Sequence, residues 1–305
     1  MIDLILHHYP PSPVSEKVRV ALGIKNLSWQ SVVIPRIPPK PKLMPLTGGF
    51  RLTPVMQIGA DIYCDSQCIL RELERRFPQP TLFPGGDRGP VWGLGRWLDG
   101  EVFTNVLALV FAEDMPGLPE GFAEDRFSLY FNPGETKDSL ADRLPENLAL
   151  LRSQMSWVDN MLAGHSFLSG EAPGMSDAYV YYLVWFTRER FSGGPSFLQE
   201  FQNILDWELR IKKIGHGQMN DISADDALEI ARRIKPEAGQ GVDARDPMDF
   251  RRDAVVAVSS KQSPDEVVGK LITLNVNEVT VLREDSKVGS VAVHLPRVGY
   301  HVREV

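Results

Sequence analysis

The chain has 305 residues, of which 43% are hydrophobic and 24% charged, and a formal net charge of −7. That length suits two or three soluble globular domains, and the acidic balance argues against nucleic acid, which calls for a basic face. Only Cys64 and Cys68 are present, which excludes a disulfide framework and makes a reducing cytoplasm the natural setting.

Residues 2–9 read as a strand, and Pro10-Pro11-Ser12-Pro13 as a loop. Val14, Val18, Ala21 and Leu22 share one face of a helix that Gly23 ends. Leu27 to Ile34 is a second strand. Pro35 to Gly49 carries prolines at 35, 38, 39, 41 and 45, so an irregular loop with little helix is expected. Pro54 has no amide proton for a ladder and belongs at the first residue of a strand. Gly59-Ala60-Asp61 then turns a hairpin between two apolar runs. Asp65-Ser66 opens a helix with Ile69, Leu70, Leu73 and Phe77 at helical spacing. Alone, this pair reads as a helix cap; a capped helix start is also a ready anion site.

A Pro/Gly linker covers residues 78–86, and helices are expected from Val91 to about Ile234. Val91 to Phe111 reads as one long helix, and Glu113 to Asn132 as a Pro/Gly-rich excursion. Further helices are read at 140–162, 177–191 and 197–214, and a last one after the cap at Ser223. After a linker at 236–246, five β-branched runs separated by turn residues follow, a small all-β module, barrel or sandwich. The most apolar run, Ala178 to Phe186, contains three tyrosines and falls short of the roughly 20 residues of a membrane span. Asp3, His7 and His8 interrupt the first apolar stretch, and no signal peptide is evident.

Several of these segments together resemble the glutathione transferases. Ser12-Pro13-Val14-Ser15-Glu16-Lys17-Val18-Arg19 is similar to the family's first loop and helix, and Thr53-Pro54-Val55 to its cis-proline segment. Cys64-Asp65-Ser66 through Phe77-Pro78 is similar to its third helix, and Met175-Ser176-Asp177-Ala178 to the capping box of its second domain. The resemblance implies a thioredoxin-like α/β domain (1–80), an all-α helical-bundle domain (88–234) and, outside the common architecture, the all-β module (242–305). Two positions depart from the family. Gly174 stands where Ser or Thr is usual, and Leu52 stands where Lys or Gln would hold the glycine end of glutathione; Arg51 or Lys42 is then the substitute.

The resemblance further implies glutathione as cosubstrate, no metal, a small apolar electrophile as acceptor, and a homodimer. Val55 would pair with the cysteinyl unit through an amide and carbonyl freed by a bend at Pro54, a cis Thr53–Pro54 bond would hold that edge open, Asp65 would take the ammonium and Ser66 the γ-glutamyl carboxylate. Ser12 is the candidate catalytic donor to the thiolate, with Ser15 second and Tyr9 third. Cys64 and Cys68 read as core residues, and His7 and His8 lack partners at metal-ligand spacing. Phe111, Met115, Phe122, Phe127, Tyr130 and Phe131 either line an acceptor pocket or pack the excursion. His294, Arg297 and Tyr300 read as a possible site or, more simply, as surface residues of the β module. The implied function is a glutathione S-transferase-like enzyme; the alternative is a glutathione-binding, regulatory or assembly protein with little or no turnover.

Overall fold

The computed structural model describes residues 4–86, 88–260 and 263–305. Ile2 and Asp3 of the expected first strand lie outside them, as do Lys261 and Gln262 of the terminal module. The strands are β1 (Leu4–His8), β2 (Ser28–Val33), β3 (Val55–Ile58), β4 (Asp61–Cys64), β5 (Gln218–Asp221), β6 (Gly241–Val242), β7 (Val255–Ser260), β8 (Ser263–Leu274), β9 (Glu278–Asp285), β10 (Gly289–Pro296) and β11 (Tyr300–Glu304). The first helices are α1 (Pro13–Ile24), α2 (Met44–Thr47) and α3 (Ser66–Arg76). Then come α4 (Arg88–Trp97), α5 (Phe103–Phe111), α6 (Phe122–Tyr130), α7 (Lys137–Asp142), α8 (Leu144–Met161), α9 (Met175–Arg190), α10 (Gly194–Leu198), α11 (Gln202–Ile214) and α12 (Ala224–Arg233).

The chain divides into two compact units. One comprises Met1–Ser15, Ser28–Arg76 and Gln218–Val305, the other Glu16–Leu27 and Phe77–Gly217. The first is a thioredoxin-like sheet enlarged at both sides, with strand order β11-β7-β8-β9-β10-β4-β3-β1-β2-β5 and β6 beside β8. The β1-α1-β2 crossover is parallel and the β3–β4 hairpin antiparallel, with Gly59 in the left-handed region at its turn (φ 61°). Beyond them, β7 to β10 form an antiparallel meander, and β11 returns to pair with β7.

The terminal strands do not stand apart from the first domain. β10 runs parallel to β4, with Ala292, Val293 and His294 opposite Asp61, Ile62 and Tyr63. Strands that join a parallel pair are covered on both faces and read as continuous apolar runs rather than alternating ones; Val291, Ala292 and Val293 are all buried. One apolar core unites Ile5, Val55 and Ile62 with Val256, Val281, Val293 and Tyr300, and takes in Ala227 and Leu228 of α12. Residues from Gln218 onward, expected to end the helical region, return to this unit, with β5 parallel to β2.

The second unit is all-helical. The expected helix from Val91 to Phe111 is interrupted by a π-helical turn at Leu98–Val102. Asp99 in that turn accepts hydrogen bonds from the buried Lys17 ammonium (2.6 Å) and the Tyr182 hydroxyl (2.8 Å). The expected helix at 140–162 breaks at Arg143, because Pro145 fits only a helix's first turn. The excursion at 113–132 contains α6, anchored by Phe111 packing on Phe122, Phe127 and Phe131.

At the start of α9, the Asp177 carboxylate accepts from the Gly174 amide (2.7 Å), the Leu168 amide (3.0 Å) and the Trp207 indole (2.7 Å). Glycine stands at 174 for a steric reason. A Cβ there would lie 2.8 Å from Pro84 and 2.9 Å from the Leu82 carbonyl oxygen, which already accepts from the Met175 amide at 2.7 Å.

Candidate functional site

Ser12 precedes α1 and acts as its cap. Its Oγ accepts from the Ser15 amide (3.2 Å) and the Ser15 hydroxyl (2.9 Å), while its own amide donates to the Tyr9 carbonyl (3.1 Å). Both serines are buried. With its lone pairs engaged, the Ser12 hydroxyl keeps its proton to donate elsewhere.

The Thr53–Pro54 peptide bond is cis. Val55 is fully buried and sits inside the sheet, in register with His7 on one side and Cys64 on the other. Thr53, rather than Val55, is therefore the residue whose backbone lies just outside the ladder. Its side chain is tied by Lys40, whose ammonium donates to Thr53 Oγ1 (3.0 Å) and to the Arg51 carbonyl (2.7 Å). Lys40 was not singled out by sequence. Its only signal is a lysine between prolines in a loop expected to be irregular.

Asp65 adopts a left-handed backbone (φ 73°), which aspartate tolerates better than most residues. Such residues cluster at ligand-holding positions. Its Oδ1 accepts from the Gln67 amide (2.8 Å) and so caps α3. Its Oδ2 accepts from the Tyr300 hydroxyl (3.0 Å), 235 residues away. Ser66 is buried in the first position of α3.

The terminal strands also hold the segment that leads to Pro54. Arg51 pairs with Asp265 (2.9 Å), and Arg283 donates to the Pro45 carbonyl (2.5 Å). Gly48 and Gly49 leave no room for a side chain: a Cβ on the first would lie 2.5 Å from Arg283 and on the second 2.8 Å from the Glu266 carbonyl oxygen. Lys42 pairs with Asp225. Both candidate substitutes for the glycine end, Arg51 and Lys42, are thus committed to carboxylates of the chain itself. Leu52 packs against the core that includes the terminal strands, which explains an apolar residue at that position.

Of the residues of the terminal module read as surface residues, Tyr300 and His294 are enclosed and Arg297 is half-buried. Tyr300 is buried against Asp65, and burial followed by the Asp65 charge raises its phenol well above the ordinary value, which keeps it a neutral donor. The β10–β4 register sets the His294 ring on Tyr63, stacked at 4.3 Å. Its Nε2 lies 3.0 Å from Asp61 Oδ1 and its Nδ1 3.9 Å from Glu278. Burial opposes its protonation, but Asp61 and Glu278 outweigh that and raise its pKa. Arg297 lies 3.6 Å from Asp246.

His7 is buried and hydrogen-bonded to Gln57 Oε1 (2.8 Å), and burial pushes its pKa down to about 4. Burial likewise raises the thiols of Cys64 and Cys68, so neither is a ready nucleophile. Among the described residues no His, Cys, Asp and Glu cluster is arranged to hold a metal ion, and no helix is long and apolar enough to cross a membrane. In the helical unit, a cavity of about 260 Å³ is lined by Phe111, Met115, Phe122 and Phe127 with Glu113 and Asp114 at its edge. Tyr130 packs instead edge-on against Phe103.

Residues 6–81 match the family model of the glutathione S-transferase N-terminal domain. A GST-like protein from Pseudomonas syringae is similar at 35% identity over 100% of both chains, with a TM-score of 0.79. A glutathione S-transferase from Rhodospirillum rubrum shares the fold at 17% identity over 68% of this chain and 87% of its own, with a TM-score of 0.53. Among curated proteins, FtsZ-localized protein A of Caulobacter vibrioides is 22% identical over 223 residues, 69% of this chain and 87% of its own.

Proposed function

The chain belongs to the glutathione S-transferase-like family, and from that premise we infer that it binds glutathione and activates its thiol for transfer to a small apolar electrophile. In this reading Thr53 pairs with the cysteinyl unit beside Pro54 and Val55. Asp65 takes the γ-glutamyl ammonium, and Ser66, at the start of α3, the carboxylate. Family membership makes a homodimer the expected assembly, which sizing chromatography tests, and the reducing cytoplasm is the expected setting.

The observation that carries the reading is the arrangement at Ser12. Lowering a thiol from about 8.5 by two units takes roughly 2.7 kcal/mol of differential stabilisation. A hydroxyl aimed at the sulfur, whose oxygen accepts from Ser15, supplies part of that, and the amides opening α1 favour negative charge nearby. The thiol proton leaves to solvent; the thiolate then forms the carbon–sulfur bond as the leaving group departs with its electron pair.

Calorimetric titration of glutathione, followed by conjugation to an aryl halide by the unmodified chain and by Ser12→Ala, tests this. Glutathione should bind to both, and turnover should fall about 100-fold in the variant, the usual cost of one donor to developing negative charge. Absence of binding sinks the reading.

A second reading, a binding or assembly protein with little turnover, is favoured by the similarity to FtsZ-localized protein A and by the pairing of the largely buried Arg51 with Asp265. Glutathione binding without Ser12-dependent conjugation selects it.

A further inference from the structure

A serine hydroxyl has one hydrogen to give and two lone pairs to receive with. At Ser12 both lone pairs are filled by one residue: the Ser15 amide donates to Ser12 Oγ at 3.2 Å and the Ser15 hydroxyl at 2.9 Å. The Ser12 side chain is buried, and its own hydrogen meets no acceptor among the described residues. We propose that Ser15 is the positioning residue of the thiol end: by closing the Ser12 oxygen to other donors, it leaves a hydroxyl that can give a hydrogen bond to a thiolate but cannot receive one from a neutral thiol. This rests on the glutathione-binding reading and gives a second residue a part in it.

A hydroxyl with an open lone pair serves both forms of the sulfur, because it can turn to donate to the thiolate or to accept from the S–H group. Its preference for the charged form is then smaller. With the oxygen closed, the second arrangement is lost, and a hydrogen bond offered to the charged form alone favours that form. Ser15 gives its own hydroxyl hydrogen to Ser12 and has none left for the sulfur, so it acts through Ser12 rather than beside it. The backbone adds less here than at most helix starts. Pro13, the first residue of α1, has no amide hydrogen, and the Ser15 amide is already engaged. The Ser12 hydroxyl is therefore the principal donor at this helix start, and its direction is set by the side chain three positions on.

The test follows the thiolate absorbance of bound glutathione against pH in the full chain, in Ser15→Ala, in Ser12→Ala and in the variant carrying both substitutions. In Ser15→Ala the midpoint should rise by about one unit, a tenfold loss of thiolate at a fixed pH below it. Ser12→Ala should raise it at least as far, and Ser15→Ala should add nothing in that background, because its effect passes through Ser12. Partial unfolding lowers the amplitude of the titration and leaves its midpoint in place, so a merely structural role does not imitate the result. An unchanged or lowered midpoint in Ser15→Ala, or a further rise when both serines are replaced, overturns the proposal. If the unmodified chain binds no glutathione, or binds it with the thiol at its ordinary value, the glutathione reading itself fails and takes the proposal with it. That outcome is distinct because it is seen before any substitution.

Discussion

The two ends of the candidate glutathione site are built on different scales of the chain. At the thiol end, Ser12 and Ser15 are three residues apart and meet because α1 begins between them. At the γ-glutamyl end, Asp65 meets Tyr300 across 235 residues, and in the segment that leads to Pro54 Arg51 meets Asp265 across 214. A local site depends on one helix start and is retained by any chain with that helix. A long-range site depends on the pairing of β10 with β4, and fails as a unit when that junction fails. Damage to the junction should therefore be costly and non-local, whereas damage at the thiol end should stay where it is made.

The junction gives the largest expected effect. Asp61 is buried and accepts from His294 (3.0 Å) and from the Glu237 amide (2.9 Å). Asp61→Ala leaves a buried histidine and an amide without their partner, a loss of about 3–5 kcal/mol. Urea unfolding should show the drop. A loss below about 1 kcal/mol would mean that the junction stands on its apolar strands alone.

Two histidines next divide the pH dependence between the two ends. His7, in register with Val55, has its pKa depressed by burial to about 4. The unfolded chain takes up that proton near pH 6.5, so stability falls as pH drops from about 6.5 to about 4, by on the order of 3 kcal/mol. His294 has its pKa raised. Its contribution is complete below the ordinary histidine value and is lost as pH climbs through the raised one. Unfolding free energies measured across pH should lose their acid-side slope in His7→Asn and their alkaline-side slope in His294→Asn. An unchanged acid slope in the first variant would count against a buried neutral His7.

The same division explains what was legible in the sequence. The strand–helix order of residues 4–76, the turn at Gly59, the proline opening β3 and the capped start of α3 are short-range patterns, and each was read from residues a few positions apart. The all-β character of the last strands was also legible from their β-branched runs. Their partner was not, because nothing in Val291-Ala292-Val293 says which strand edge it will cover. The Asp65 partner of Tyr300 and the Thr53 partner of Lys40 were not legible for that reason: one is distant in sequence and the other lies across an irregular loop. Val55 was read as the free backbone although the hairpin to β4 was legible, because its other neighbour, β1, lies 48 residues away in register at His7. The break of α8 at Arg143 was signalled by Pro145 and overridden by the apolar stripe on either side.

At the thiol end the expected structural cost is smaller. Ser12→Ala removes the α1 cap, which is worth about 1 kcal/mol, and leaves β10 and the terminal strands untouched. Hydrogen exchange should quicken in the first turn of α1 and remain unchanged in β9 and β10. Faster exchange in the terminal strands would show that the two ends are coupled after all.

Leu52 lies between the two ends in sequence and gives the finest test of where one stops and the other begins. Family resemblance makes it a missing ligand for the glycine end, whereas the structure packs it against the core that includes the terminal strands. Placing Gln there withdraws a partly buried apolar side chain, a cost of about 1 kcal/mol or less, and supplies an amide to a segment where Lys40 already ties Thr53 and Arg51 already pairs with Asp265. Leu52→Gln should therefore lower the urea midpoint slightly and leave glutathione affinity within about twofold, since an added donor gains little unless it reaches a group that lacks one. A tenfold gain in affinity would reassign Leu52 from the core to the ligand.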